Sequence, residues 1–136
     1  MTTVLFACVH NAGRSQMAAA FFARLADPLR ARAVSAGTQP AARVHPEVVA
    51  AMAELGLDLS AATPALLDGE LARSADLLVT MGCGEACPHV PGLRRADWSL
   101  RDPKGAAPAE VRAIRDEIRA RVEALVRTEG WGRPQA

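Results

Sequence analysis

The stretch VLFACVHNAGRS, residues 4–15, is the most informative part of this chain. Its apolar first part, Val4 to Ala7, leads directly into Cys8, and its last two residues, Arg14 and Ser15, precede an alanine-rich segment. Short apolar runs of this kind are typical of buried strands, whereas the alanine-rich segment suits a helix. The stretch therefore predicts a strand, a sharp turn and the start of a helix, with a cysteine at the end of the strand.

A strand-to-helix loop of this length favours anion binding. Its successive backbone N–H groups can turn inward and form a concave nest. The first N–H groups of the helix have no intrahelical partners, and the helix dipole adds partial positive charge there. We therefore predict a site for a tetrahedral oxyanion, whose binding residues are Val9, His10, Asn11, Ala12, Gly13, Arg14 and Ser15.

Cys8 stands where its thiol would form the floor of this nest. Helix N-termini and nearby cations favour the reactive thiolate of a cysteine. Arg14 can offer a planar fork to two oxygens of an anion, and Ser15 can donate a hydrogen bond to the sulfur. Gly13 tolerates positive φ, and Asn11 is the next most tolerant residue type in the loop. The competing interpretation is a buried structural cysteine beside an ordinary helix cap at Ser15.

Composition limits the class of protein. The chain has 136 residues, a formal net charge of +1 and three cysteines. The length favours a single domain that comprises residues 1–136. The low net charge predicts no strong attraction to nucleic acid or membranes. The sequence contains no apolar stretch near the roughly 20 residues that span a bilayer and no secretory signal. Because an odd cysteine count argues against an extracellular disulfide framework, we expect a cytoplasmic protein with catalytic, redox-active or metal-binding cysteines.

The rest of the chain alternates strand-like and helix-like segments. We expect strands at residues 4–8, 32–35, 77–80 and 96–100, and helices at 15–25, 46–55, 66–73 and 108–128. The last helix is the clearest, because apolar residues recur along it at steps of three and four. This alternation predicts an α/β fold, a doubly wound sheet of four parallel strands flanked by helices. Such sheets bind ligands beyond the carboxyl ends of their strands, where Cys8 lies.

Two further cysteines follow the third strand, in the sequence MGCGEACP of residues 81–88. Parallel strands end at the same sheet edge, so Cys83 and Cys87 are expected near the Cys8 loop or its rim. Helical residues four apart have Cβ atoms about 5–6 Å apart, whereas a disulfide needs about 3.5–4.5 Å. A bond between them would therefore require local unwinding, and we predict a mobile redox segment. The alternatives are metal ligation together with His89, and buried core thiols.

Asp102 and Pro103 follow the expected fourth strand, at the same edge of the sheet. Asp102 could act as a general acid toward an oxygen that leaves the bound anion. The alternative is an ordinary Asx turn before proline. The Cys8 loop on the same edge makes us favour the general acid.

These motifs together resemble a known group of proteins. The sequence CVHNAGRS of residues 8–15 resembles the CxxNxxRS signature of the low-molecular-weight phosphotyrosine phosphatase superfamily. The SAGT sequence of residues 35–38 and the Asp102-Pro103 pair are similar to two further elements of that superfamily. The segments VTMGCGEACP and WSLRDPKG resemble its arsenate reductase branch, with Lys104-Gly105 where the phosphatases usually carry aromatic residues. The resemblance extends over residues 4–125.

The resemblance implies an arsenate reductase. Cys8 would attack arsenate that the loop amides and Arg14 hold, while Asp102 protonates the departing oxygen. Cys83 would then attack Cys8 and release arsenite, and Cys87 would attack Cys83 and carry the disulfide outward. The implied reductant is external, either thioredoxin or a low-molecular-weight thiol such as mycothiol with its redoxin. No metal and no tightly bound cofactor are expected.

Two other functions remain open. A protein tyrosine phosphatase would use Cys8 and Asp102 but would not need Cys83 or Cys87. A non-enzymatic sensor of arsenite or redox state would use the three thiols as soft ligands.

Overall fold

The computed structural model describes residues 1–82 and 90–134. Within these residues the chain forms four strands and four helices. They are β1 (Thr2–Cys8), α1 (Arg14–Leu25), β2 (Ala31–Gly37), α2 (Pro46–Ala53), α3 (Gly69–Ser74), β3 (Leu77–Thr80), β4 (Arg94–Asp97) and α4 (Pro108–Glu129). The predicted α/β class is confirmed, as is the number of strands in the sheet.

All four strands are parallel and lie in the order β2-β1-β3-β4. From β1 the chain adds β2 on one side and then β3 and β4 on the other, so the direction of winding reverses between β1 and β3. In doubly wound sheets this reversal opens a crevice beyond the carboxyl ends of the two central strands. Cys8 is the last residue of β1 and therefore lies at that crevice.

The sheet separates two hydrophobic clusters, because successive side chains of a strand point to opposite faces. Val4, Phe6 and Cys8 belong to the larger cluster, which also contains the apolar faces of α1, α2 and α4. Leu5 and Ala7 belong to the smaller cluster with α3. The thiol-bearing end of β1 is therefore anchored by burial on both faces of the sheet.

Several element boundaries differ from the sequence prediction. The fourth strand runs over Arg94–Asp97 rather than 96–100, because its residues pair with Leu77 to Thr80 of β3. The helix α3 starts at Gly69 rather than residue 66, where the Asp68 carboxylate accepts the Leu71 N–H at 2.7 Å. Within the described ranges, no helix combines the length and the apolar character that a membrane span requires.

Candidate active site

The loop between β1 and α1 directs its carbonyl groups away from its own concave side. The carbonyls of Cys8, Val9, His10 and Ala12 all accept backbone N–H groups from the segment that follows β2. The donors are Thr38 at 3.2 Å, Gln39 at 2.8 Å, Ala41 at 2.9 Å and His45 at 2.9 Å, in that order. Within residues 1–82 and 90–134, the loop N–H groups from Val9 to Arg14 have no acceptor. These groups are therefore available to a bound anion, and the predicted binding residues stay a prediction.

Asn11 organises the interior of the loop. It has a φ of 49° and is fully buried. Its side-chain oxygen accepts the backbone N–H of Ala65 at 2.9 Å and the Gln16 amide at 3.2 Å. Its side-chain nitrogen therefore faces the Ser15 hydroxyl and donates to it at 2.7 Å. The Ala65 N–H can only donate, so this contact fixes which end of the amide is the oxygen.

The direction of the Asn11 bond determines what Ser15 can do for the thiol. The Ser15 hydroxyl oxygen is 2.8 Å from the Cys8 sulfur, and both residues are buried. Because the Ser15 oxygen already accepts from Asn11, its own hydrogen is free to point at the sulfur. A hydrogen bond donated to a thiolate stabilises the charged form. Ser15 is not the helix cap of the competing interpretation, since α1 begins at Arg14 with Gly13 as its N-cap residue.

Arg14 lies behind the loop with only 8% of its side chain exposed. Its Nη1 donates to the Leu100 carbonyl at 3.3 Å, and its Nη2 is 3.8 Å from the Asp102 carboxylate. Gly82, just past the end of β3, borders the same guanidinium: a Cβ built on Gly82 would lie 3.1 Å from Arg14 Cζ and closer still to Nη1. Arg14 is thus enclosed by the segments after β3 and β4.

Asp102 forms the Asx turn of the alternative interpretation, and its role as a general acid stays a prediction. One carboxylate oxygen accepts the Lys104 N–H at 3.0 Å, which is the Asx turn, while the other faces Arg14. Its side chain is 45% exposed and is therefore open to solvent. The adjoining Pro103 covers Gly13, where an added Cβ would lie 2.8 Å from the Pro103 ring.

The role predicted for Gly13 is wrong in one respect. Its φ is −143°, so the loop does not need glycine there for a left-handed conformation. Asn11 adopts the positive φ instead. Glycine is required at position 13 because the Pro103 ring approaches its backbone too closely for a side chain.

The histidines of this region support the loop from outside. The His10 Nδ1 lies 3.1 Å from the Gln39 carbonyl and therefore carries the hydrogen of that contact. His45 is the N-cap residue of α2, and its ring lies beside Gly13. Partial burial of the His45 ring lowers its pKa below the usual 6.5, although Glu47 and Asp102 oppose the shift. Burial therefore favours the neutral form of the ring.

Two residues that shape the site were not predicted from the sequence. Gln16 donates to both the backbone carbonyl and the side-chain oxygen of Asn11. Gly82 leaves room for the Arg14 guanidinium. Gln16 lies only five residues from Asn11, but its residue type does not reveal that its side chain folds back onto the loop. Gly82 acts on Arg14, which only the folded chain brings close. Cys83, Cys87 and His89 lie outside the described residues, so the predicted relay positions and the metal alternative remain predictions.

A parallel α/β sheet with a strand–loop–helix motif and a hydrogen-bonded thiol at the end of its first strand defines a class of phosphatase-like α/β proteins. The chain belongs to the low molecular weight phosphotyrosine protein phosphatase family, whose characteristic sequence pattern matches residues 3–130. The family resemblance predicted from the sequence is thereby confirmed.

Individual relatives point to one branch of this family. A Brevibacillus brevis protein named arsenate reductase is 37% identical over 130 residues, which cover 93% of this chain and 95% of that protein. The Corynebacterium glutamicum thioredoxin-dependent arsenate reductase is 38% identical with a TM-score of 0.80, and the match covers 94% of this chain. This chain spans 61% of the length of that Corynebacterium protein. A structure described as an arsenate reductase in the phosphate binding state is 31% identical, with a TM-score of 0.78 and coverage of 94% and 98%.

Proposed function

We propose that this protein is an arsenate reductase that converts arsenate to arsenite at Cys8. The observation that carries the proposal is the chain of hydrogen bonds from Asn11 through Ser15 to the Cys8 sulfur. It lies inside a loop whose N–H groups have no acceptor among the described residues 1–82 and 90–134. This arrangement stabilises a nucleophilic thiolate and presents it to a tetrahedral oxyanion. The relatives named as arsenate reductases support the choice of arsenate as substrate.

The first step is substitution at arsenic. Arsenate occupies the loop between Val9 and Arg14, with its oxygens bound by backbone N–H groups and by the Arg14 guanidinium. The Cys8 thiolate forms a sulfur–arsenic bond, and one already protonated arsenate oxygen leaves as a hydroxyl group. Asp102, which lies 3.8 Å from Arg14 and is open to solvent, supplies the proton that makes this oxygen a water molecule. Arsenic is still As(V) after this step.

The second step is the reduction. A thiolate, which we assign to Cys83, attacks the Cys8 sulfur, and the electron pair of the sulfur–arsenic bond moves to arsenic. Arsenite is released as As(III), and Cys8 and Cys83 form a disulfide. Cys87 then attacks Cys83, which frees Cys8 and leaves a Cys83–Cys87 disulfide for the external reductant. Each attack requires a thiolate and access to the attacked sulfur in line with the bond that breaks.

The reductant is a thiol. A thioredoxin-dependent relative supports thioredoxin as one candidate partner, and mycothiol with its redoxin is the other. Either donor returns two electrons for each arsenite formed. Because the cytosol keeps thiols reduced, we also propose a cytoplasmic location.

Arsenite production by single cysteine variants tests the proposal. We expect Cys8→Ser to abolish turnover with every donor, while inorganic phosphate still binds and shows that the loop is intact. Cys83→Ser should give at most one arsenite per chain unless an external thiol replaces the missing step. The proposal fails if Cys8→Ser still turns over, or if the wild-type protein yields no arsenite with thioredoxin and none with mycothiol.

A phosphatase acting on phosphotyrosine is the second candidate, because the family and the placement of Asp102 beside Arg14 would permit it. The positions of the aromatic side chains argue against it. The chain has three Phe, two Trp and no Tyr. The phenylalanines are buried, Trp131 packs on Phe22, and Trp98 packs on Phe6 with Arg121 over its ring. The site therefore lacks a dedicated aromatic wall for a tyrosyl ring.

The two activities can be separated by substrate preference. We expect kcat/KM for arsenate, measured with a thiol donor, to exceed kcat/KM for a phosphotyrosine peptide. Cys87→Ser should lower the first value and leave the second unchanged. A preference for the peptide that survives both Cys83→Ser and Cys87→Ser would favour the phosphatase.

A further inference from the structure

We propose that Gly82 is a positioning residue for anion binding, because its missing side chain forms the slot in which the Arg14 guanidinium rests. This inference rests on the proposed role of Arg14 as an oxyanion ligand. Gly82 lies two residues past the end of β3, at the crevice where the winding of the sheet reverses.

The geometry shows how closely the two residues fit. A Cβ on Gly82 would lie 3.1 Å from Arg14 Cζ and 3.5 Å from Nη2, and still closer to Nη1. The Nη1 that would be displaced is the atom that donates to the Leu100 carbonyl. Since the side chain of Arg14 is only 8% exposed, it has little free space into which to retreat.

The displaced group would be the end of a flexible side chain. An alanine at position 82 would therefore be accommodated mainly by a shift of the guanidinium, with less disturbance of the backbone. The shift would remove the Leu100 hydrogen bond and change the angle at which the planar fork meets an anion. Bidentate recognition depends on this angle, because the guanidinium has a rigid plane.

The backbone of Gly82 introduces a second cost that must be separated from the first. Its φ is +111°, a conformation that side chains rarely adopt. Gly92 provides a matched control, since its φ is +80° and a Cβ there would meet nothing within 4 Å. Gly92→Ala therefore carries a comparable backbone penalty without contact to Arg14.

Inorganic phosphate binding, followed by NMR titration, is the direct test, because it does not require the cysteine relay. We expect Gly82→Ala to raise the phosphate Kd by about tenfold or more, the loss expected when a charge-assisted hydrogen bond is weakened. Gly92→Ala should stay within about twofold of wild type, a change worth well under one hydrogen bond. A wild-type Kd in Gly82→Ala would overturn the proposal.

A double-mutant cycle assigns the effect to Arg14. In an Arg14→Ala background, Gly82→Ala should cause no further loss of phosphate affinity, because the guanidinium that it displaces is gone. An equal loss in both backgrounds would overturn the proposal. If Arg14→Ala alone leaves the phosphate Kd unchanged, the oxyanion-ligand role of Arg14 fails instead, and with it this part of the proposed function.

If Gly82→Ala folds poorly, thermal unfolding can still test whether its effect comes from the contact with Arg14. If the instability comes from the clash with Arg14, the double variant Arg14→Ala/Gly82→Ala should recover the melting temperature of Arg14→Ala/Gly92→Ala. Persistent instability of that double variant would show that the backbone of Gly82 acts independently of Arg14, and would overturn the proposal.

Discussion

Asn11 determines the direction of the hydrogen bonds at the nucleophile, because its side-chain oxygen is already committed to the Ala65 N–H. An aspartate at this position keeps that acceptor but has no N–H for Ser15. The Ser15 hydroxyl would then donate to the aspartate and turn its hydrogen away from the Cys8 sulfur. We expect Asn11→Asp to lower the ultraviolet thiolate absorbance at pH 7 and to reduce kcat/KM for arsenate at least as much as Ser15→Ala.

Ser15→Ala sets the scale for that comparison. Hydrogen bonds to charged groups contribute about 1.5–3 kcal/mol, which corresponds to roughly a tenfold to hundredfold loss in kcat/KM. Ser74→Ala is a suitable control, since Ser74 also donates a side-chain hydrogen bond, to Leu71, but lies on α3. If Asn11→Asp kept the wild-type thiolate absorbance, the proposed direction of the hydrogen bonds would be wrong.

The end of β2 holds the loop between β1 and α1 in place through Gly37. A Cβ on Gly37 would lie 2.6 Å from the Val9 carbonyl oxygen and 2.8 Å from the Asn11 nitrogen, both of which are backbone atoms. The strand or the loop would have to move, so Gly37→Ala should cost about 1–3 kcal/mol, as overpacking does elsewhere. It should also weaken phosphate binding. Gly132→Ala, where the nearest contact is an ordinary 3.7 Å, should do neither in urea unfolding and phosphate titration.

Helices α2 and α4 are joined by a cluster of charges whose effect depends on pH. The Glu54 carboxylate accepts from Arg112 and Arg115, and these hydrogen bonds lower its pKa from 4.5 to about 2. Because the folded pKa is the lower one, the stabilisation is complete above about pH 4.5 and is lost as the pH falls toward 2. Glu54→Gln should therefore lower the urea midpoint at pH 7, and the difference from wild type should shrink across that range.

Salt provides the check on this interpretation. The Glu54 side chain is 41% exposed, so solvent screens part of the interaction. The gap between wild type and Glu54→Gln should narrow as salt is added at pH 7. A gap that is independent of both pH and salt would assign the effect to packing rather than charge.

At the scale of the whole molecule, the sequence predicts structure that depends on neighbouring residues. It does not predict contacts between residues that are far apart in the chain. The strand, loop and helix around Cys8 follow from an apolar run and a helix start, and the parallel sheet follows from alternation. The strand β4 lies at Arg94–Asp97 because it pairs with β3. Its charged residues do not form the apolar pattern of a buried strand, so the sequence alone does not predict this pairing. The Asn11–Ala65 contact joins residues 54 positions apart, and the Gly82 slot exists only beside Arg14. These long-range contacts decide how the thiol and the guanidinium are oriented.

The site is assembled from segments spread across the chain, so anion binding should stabilise the entire fold. The loop after β1 is bonded to the segment after β2, and Arg14 reaches Leu100 and Asp102 beyond β4. A ligand that binds only the folded state at about a hundred times its Kd adds about 2.7 kcal/mol. We therefore expect phosphate to raise the melting temperature of wild type and Cys8→Ser by several degrees, and that of Arg14→Ala by less. Phosphate could instead protect only the loop amides from hydrogen exchange and leave the melting temperature unchanged. That result would show that the loop opens independently of the sheet, because global unfolding would then be unlinked from binding.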